Sequence, residues 1–235
     1  MIALRSTLFA IWLFAGSAVL AILFTPVYLM PRGAVRWLLR FWGAFVLFGL
    51  RWLCGIRVEV RGREHVPTGP ALIAAKHQSM LDICANFTLL PDACFVMKKE
   101  LLAIPFFGWY ALKCRMIAVD REGHSAALKK LVADTQDRMR DDRQVVIFPE
   151  GTRTRPGETP AYKPGVAALY RDLGLPCTLV ATNSGEHWPA KGFARYPGTV
   201  IYEYLPPLPA GLKRGQFMSE MQEQIEGASA EMLAK

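Results

Sequence analysis

The residues best suited to chemistry stand in the stretch 76–82, Lys-His-Gln-Ser-Met-Leu-Asp, where the imidazole of His77 comes five residues before the carboxylate of Asp82. Such a pair does general-base work. A carboxylate accepting from one ring nitrogen fixes the tautomer and stabilises the protonated ring, leaving the other nitrogen to take a proton from a hydroxyl or thiol. Five residues of continuous helix are about 500° of rotation and would splay the two side chains apart, so they meet only if His77 precedes the first helical turn. Ser79-x-x-Asp82 has the form of a helix-capping box and supplies that break. On the heptapeptide alone, a plain helix cap beside a hydrogen-bonding loop histidine is the more economical reading.

Three cationic turns stand elsewhere. Residues 144–148 run into Pro149-Glu150-Gly151-Thr152-Arg153-Thr154-Arg155, a compact turn with a glycine for close backbone approach, a hydroxyl and two arginines. Guanidinium groups grip phosphate oxygens bidentately, and a glycine turn lets backbone N–H groups join them. Residues 116–119 end in Asp120-Arg121. Residues 94–97 end in Lys98-Lys99-Glu100, followed by Ile104-Pro105-Phe106-Phe107-Gly108-Trp109, an apolar bend suited to lining an acyl slot. On composition alone, Arg121 pairing with Asp120 and Lys98 and Lys99 pointing into solvent are equal alternatives; Arg153 is harder to dismiss. All of these turns follow predicted strands, as His77 does.

The elements that must position these residues read as short β-rich runs at 57–61, 71–75, 94–97, 116–119, 144–148, 177–182 and 199–204, with helical stretches between, the clearest at 125–140. Alternating strands and helices predict an α/β layered domain with a mostly parallel sheet flanked by helices, and in such sheets functional groups gather at the strand ends. A last helix is expected over 215–235, on the surface. The boundary falls at 54/55: residues 1–54 as membrane-anchoring helices, 55–235 as the α/β domain. Residues 6–31 carry no charge, and 8–30 are apolar for long enough to cross a hydrocarbon core of about 30 Å. Arg32, Arg36, Arg40 and Arg51 then fall on a narrow arc of a greasy, aromatic helix, the pattern of a segment at an anionic bilayer surface with the following domain on the cytoplasmic side. Whether the first helix spans the bilayer or forms a shallow hairpin with the second stays open.

Composition agrees with a lipid-contacting protein. The chain has 235 residues, 52% of them hydrophobic, and a formal net charge of +8. That charge suits nucleic acid, an anionic membrane or a phosphorylated small molecule, and the apolar N-terminus favours the last two over nucleic acid. Five scattered cysteines form no Cys-x-x-Cys pair and have no histidine at metal-ligand spacing, so they read as reduced, buried thiols without a metal. No Gly-x-Ser-x-Gly elbow supports a serine nucleophile.

Together these residues resemble the glycerolipid acyltransferase family, the 1-acylglycerol-3-phosphate acyltransferases. His77 and Asp82 match the family's His-x-x-x-x-Asp block, residues 116–121 its strand closing in arginine, and 148–153 its Phe-Pro-Glu-Gly-Thr-Arg block without a substitution; 98–109 also look like the family. In the fourth block Leu179 stands where a proline is usual. The resemblance implies transfer of a fatty acyl group from acyl-CoA or acyl carrier protein to the sn-2 hydroxyl of 1-acyl-sn-glycerol 3-phosphate, at the inner membrane, with membrane lipids around it. It implies no covalent enzyme intermediate and neither metal nor organic cofactor. His77 would be the base and Asp82 its orienter; Arg153, with Glu150, Gly151 and Thr152 shaping the turn, would hold the acceptor phosphate as the substrate-binding set, with Arg121 and Lys98 as helpers. Another lysolipid acceptor such as lyso-ornithine lipid, a lipid acyl hydrolase, and a catalytically silent lipid-binding protein are the alternatives.

Overall fold

A computed structural model describes residues 1–120 and 124–234. Two long helices come first, α1 (Ile2–Leu23) and α2 (Arg32–Gly49), joined by a 3-10 turn over Thr25–Leu29. The uncharged run therefore does not continue as one helix to residue 30: Pro26, with no N–H and a fixed φ, opens the turn instead. A π-helical turn, Leu50–Cys54, and Gly55 in the left-handed region lead into the sheet. There follow β1 (Ile56–Arg61), β2 (Ala71–Ala75), α3 (Leu81–Leu89), β3 (Ala93–Lys98), α4 (Phe107–Lys113), β4 (Ile117–Val119), α5 (His124–Met139), β5 (Gln144–Ile147), α6 (Gly165–Leu173), β6 (Cys177–Thr182), α7 (Ser184–His187), β7 (Gly198–Leu208) and α8 (Arg214–Leu233).

The seven strands form one sheet in the order β1-β7-β6-β2-β5-β3-β4. Every neighbouring pair is parallel except β6–β7. At the centre, β2 (Ala-Leu-Ile-Ala-Ala) is buried on both faces, which is why it reads as an unbroken apolar run. Its odd residues, Ala71, Ile73 and Ala75, join a core with Val46 of α2 and Leu81 and Cys84 of α3. Leu72 and Ala74 face a second core with Leu131 of α5, Val166 of α6 and Met221 of α8. The result is three layers, with the N-terminal helices contributing to one of them. Helix α8 docks by a single face, burying Phe217, Met221, Ile225, Ser229 and Met232.

The boundary expected at 54/55 falls inside a continuous core: Phe9, Leu13, Val46, Leu50 and Cys54 share one apolar cluster with Ile56 and the sheet. Helices α1 and α2 form an antiparallel hairpin. Trp12 stacks on Phe45 at 4.4 Å between ring centres, Trp42 Nε1 donates to Ser17 Oγ at 2.9 Å, and Arg5 Nε donates to the Leu53 carbonyl at 2.8 Å. Three arginines of the stripe have partners within the protein. Arg32 pairs with the Asp92 carboxylate at 2.6 Å, Arg36 approaches it at 3.5 Å, and Arg40 donates to the Leu90 and Pro91 carbonyls. These guanidinium groups close onto the loop between α3 and β3. The buried Asp92 also meets Arg143 at 3.2 Å and so gathers three cations, two of them, Arg32 and Arg36, from the stripe. The five cysteines are free and buried, and burial pushes the thiols of Cys114 and Cys177 up to about 12.

Candidate active site

Strand β2 ends at Ala75, and α3 begins at Leu81, so His77 sits on the connecting turn before the first helical residue. Asp82 Oδ2 accepts from Ser79 N at 2.9 Å, the acidic half of a capping box, while Ser79 Oγ accepts from Leu81 N, two residues on, at 3.1 Å in place of Asp82 N. Asp82 Oδ2 also accepts from Gln78 N at 2.8 Å and lies 3.0 Å from His77 Nδ1. Asp82 Oδ1 takes the hydroxyl of Tyr202 at 3.0 Å. The box that starts α3 therefore also holds the imidazole.

This geometry sets the tautomer. Gln78 N and Ser79 N are obligate donors, so Asp82 Oδ2 is an acceptor, and Nδ1 of His77 must carry a proton towards it. Burial, and then the neighbouring Asp82 charge, push the Tyr202 hydroxyl well above its ordinary range, so it too remains a donor. Nε2 of His77 is left as the basic nitrogen. The ring stacks on Phe148 at 4.0 Å and 18°, and the side chain keeps 15% of its surface exposed. One face is fixed and an edge remains open to a substrate.

The turn after β5 is fastened to His77 through the backbone. Strands β2 and β5 are parallel with Ala74 opposite Ile147, and continuing that register sets His77 level with Glu150. His77 N donates to Glu150 Oε2 at 2.7 Å, Thr154 N donates to the His77 carbonyl at 2.9 Å, and Thr154 Oγ1 donates to Glu150 Oε1 at 2.9 Å. Gly151, at φ 70°, closes the turn by donating its N–H to Phe148 O at 2.9 Å; a left-handed residue there strongly favours glycine. Burial pushes the Glu150 carboxyl upward, opposed by the ammonium of Lys76 at 2.9 Å.

The predicted residues fare differently. His77 and Asp82 are in contact as expected. Glu150, expected to help shape the turn, is 2% exposed with both oxygens occupied by the protein, and its carboxylate holds the base's backbone. Gly151 shapes the turn, and Thr152 and Arg153 are exposed on it, Arg153 next to the Thr154 that binds His77. Among the described residues, Arg153 has no hydrogen-bond or ion-pair partner. Lys98 is exposed at the carboxyl end of β3, on the same edge of the sheet. Arg121 lies outside the described residues. The 104–109 bend turns outward: Ile104, Phe106, Phe107 and Trp109 are exposed, and an open trough of about 560 Å³ runs between Phe106, Trp109 and Tyr110 and the hairpin tip at Ile22, Tyr28 and Leu29. No residue of the His77 pair or of the Arg153 turn lines it.

Sequence reasoning missed Tyr202, Thr154 and the platform role of Phe148. For Tyr202 the one available signal was the pair of tyrosines alternating along β7 at 202 and 204; buried phenols need hydrogen-bond partners, but the partner lies 120 residues away. Among the described residues, no cluster of His, Cys, Asp and Glu is arranged to hold a metal ion.

A mostly parallel α/β sheet presenting an oriented imidazole and free cations at its carboxyl edge defines a class of enzyme that activates a hydroxyl on an anionic substrate. Residues 57–182 match the family model described as Acyltransferase, and the chain belongs to that family. It is 34% identical to a 1-acyl-sn-glycerol-3-phosphate acyltransferase of Pseudomonas aeruginosa, the match covering 99% of this chain and 91% of that protein. It is also 32% identical to the alpha form of that enzyme from Mus musculus, over 80% of this chain and 68% of the relative. In fold it is similar to the crystal structure of the 1-acyl-sn-glycerophosphate acyltransferase PlsC from Thermotoga maritima, with a TM-score of 0.76 and 21% identity over 100% of this chain and 95% of that one.

Proposed function

We propose that this chain transfers a fatty acyl group from an acyl thioester, of coenzyme A or acyl carrier protein, to the sn-2 hydroxyl of 1-acyl-sn-glycerol 3-phosphate. The observation that carries this reading is the double fastening of His77, by its side chain to Asp82 and by its backbone to the turn that bears Arg153. Base and phosphate-binding turn become one rigid unit. The acyltransferase relatives support the choice of acceptor.

Nε2 of His77 takes the proton from the acceptor hydroxyl as its oxygen attacks the thioester carbonyl. The tetrahedral intermediate then collapses, the C–S bond breaks, and the imidazolium returns the proton to the leaving thiolate. Asp82 supports the imidazolium in between. Arg153 holds the acceptor phosphate, aided by Lys98 and Arg121, while Thr152 and Gly151 shape the turn. The chemistry needs neither metal nor organic cofactor. The segments Ile2–Leu23 and Arg32–Cys54 are each long and apolar enough to cross a membrane, which suits an enzyme whose substrate and product are lipids. Arginines following an apolar helix favour the cytoplasmic side of the inner membrane, and that is the side on which this reading puts the domain.

The test supplies purified protein with a long-chain acyl thioester and a panel of lysolipids, following thiol release and lipid products. Thiol release that requires lysophosphatidate and yields phosphatidate is expected. Faster product formation with lyso-ornithine lipid would move the acceptor, release without any acceptor would mean hydrolysis, and none would leave a lipid-binding protein.

A further inference from the structure

The residue before the base, Lys76, is 2% exposed, and its ammonium is held entirely by the protein. Nζ meets Glu150 Oε1 at 2.9 Å, Glu226 Oε1 and Oε2 at 2.7 and 2.8 Å, and the Glu158 carbonyl at 3.1 Å. Its three N–H donors thus have three groups to meet. Glu226 belongs to the C-terminal helix α8, 150 residues along the chain, and also accepts the Tyr162 hydroxyl at 2.8 Å. On the far side, Glu150 passes from Lys76 to His77 N at 2.7 Å. The Lys76 main chain is anchored independently, its N–H donating to the Val180 carbonyl of β6 at 2.8 Å.

Burying an ammonium between two carboxylates brings desolvation costs that a simple stabilising role does not require. Apolar residues of similar volume often replace such groups at no loss of stability. What the charges add is position: Glu226 fixes Lys76, Lys76 fixes the rotamer of Glu150, and Glu150 sets the height of the His77 peptide. We infer that Lys76 and Glu226 are positioning residues of the acyl transfer, and that α8 reaches the reaction through them without touching substrate. The inference rests on His77 being the base.

The experiment compares Lys76→Met, Glu226→Gln, Glu226→Leu and the apolar double variant Lys76→Met/Glu226→Leu in the full chain. For each, thermal stability, kcat, and KM for acceptor and donor are measured, with His77→Ala alongside. A displacement of about 1 Å in a reacting group costs on the order of a hundredfold. Lys76→Met is therefore expected to lower kcat about ten- to a hundredfold while both KM values stay within about threefold. Glu226→Gln, which keeps a hydrogen-bonding head, should retain more kcat than Glu226→Leu. The double variant, which leaves one buried carboxylate where Lys76→Met leaves two, should be more stable than Lys76→Met without regaining kcat. That last result separates positioning from folding even where the single variants fail to fold. A folded double variant with near-normal kcat, or single variants with unchanged kcat, would overturn the inference. Should His77→Ala itself keep its turnover, the base assignment fails instead, and the two failures are told apart.

Discussion

At the residue scale the proposed mechanism separates two functions, proton transfer at His77 and anion binding at Arg153. His77→Ala removes Nε2 and leaves the Arg153 turn free to bind, so turnover should vanish while lysolipid binding, measured by equilibrium dialysis, stays close to that of the parent. Residual turnover above a few per cent would sink the general-base role. Arg153→Ala should raise acceptor KM about tenfold or more, the loss of a charge-assisted contact of about 1.5 kcal/mol, with kcat changed much less. An unchanged KM would make Arg153 a structural residue. The geometry behind both was legible in the sequence because each is local: Ser79 and Asp82 lie within one turn of helix, and Arg153 lies in the same short loop as Gly151. Tyr202 and Glu226 were not legible. They reach the site from 120 and 150 residues away, and nothing in the local pattern of a strand or helix says which polar tip will meet which acceptor.

At the scale of elements, hydrophobic period did most of the work, and strands β2 and β6 begin and end where their apolar runs do. At α2 the pattern left out the protein partner. An arginine stripe on an aromatic helix looks alike whether it faces phospholipid or a buried carboxylate, and Asp92, the carboxylate it faces, lies 60 residues from Arg32. The contact of α2 with α3 makes a sharp prediction. A Cβ added at Gly43 would stand 2.6 Å from the Cys84 carbonyl oxygen, a backbone atom unable to swing aside. Gly43→Ala should push α2 off α3 and cost about 1–3 kcal/mol, as overpacking does, despite the helix propensity that alanine gains. Because α3 starts at the capping box that holds His77, the lowered melting temperature should come with a lowered kcat. A Gly43→Ala protein as stable as the parent would mean that the two helices do not meet this closely.

For the whole molecule, the question is whether residues 1–54 are an anchor tied to a finished domain or part of the domain itself. Sequence favours the first, since charge and hydropathy change at residue 55, and on that view a truncated chain is a soluble enzyme. The structure favours the second: Phe9, Leu13, Val46, Leu50 and Cys54 are each at most 4% exposed and cover one face of the sheet. Each large buried side chain contributes about 1.5–3 kcal/mol, so their joint loss, about 10 kcal/mol, is comparable to the whole stability of an ordinary domain. The fragment 55–235 should therefore fail to show a cooperative melting transition and should not transfer acyl groups even to detergent-dispersed lysolipid. A monomeric fragment that melts cooperatively and turns over would restore the anchor-and-domain division. Outward residues distinguish the two roles from the other side. Leu23 and Leu29 are 67% and 86% exposed, and changing both to serine leaves the core intact. That variant should keep its melting temperature within a few degrees while co-sedimenting measurably less with vesicles of anionic phospholipid, so that one hairpin is seen to fold the enzyme with one face and to reach the membrane with the other.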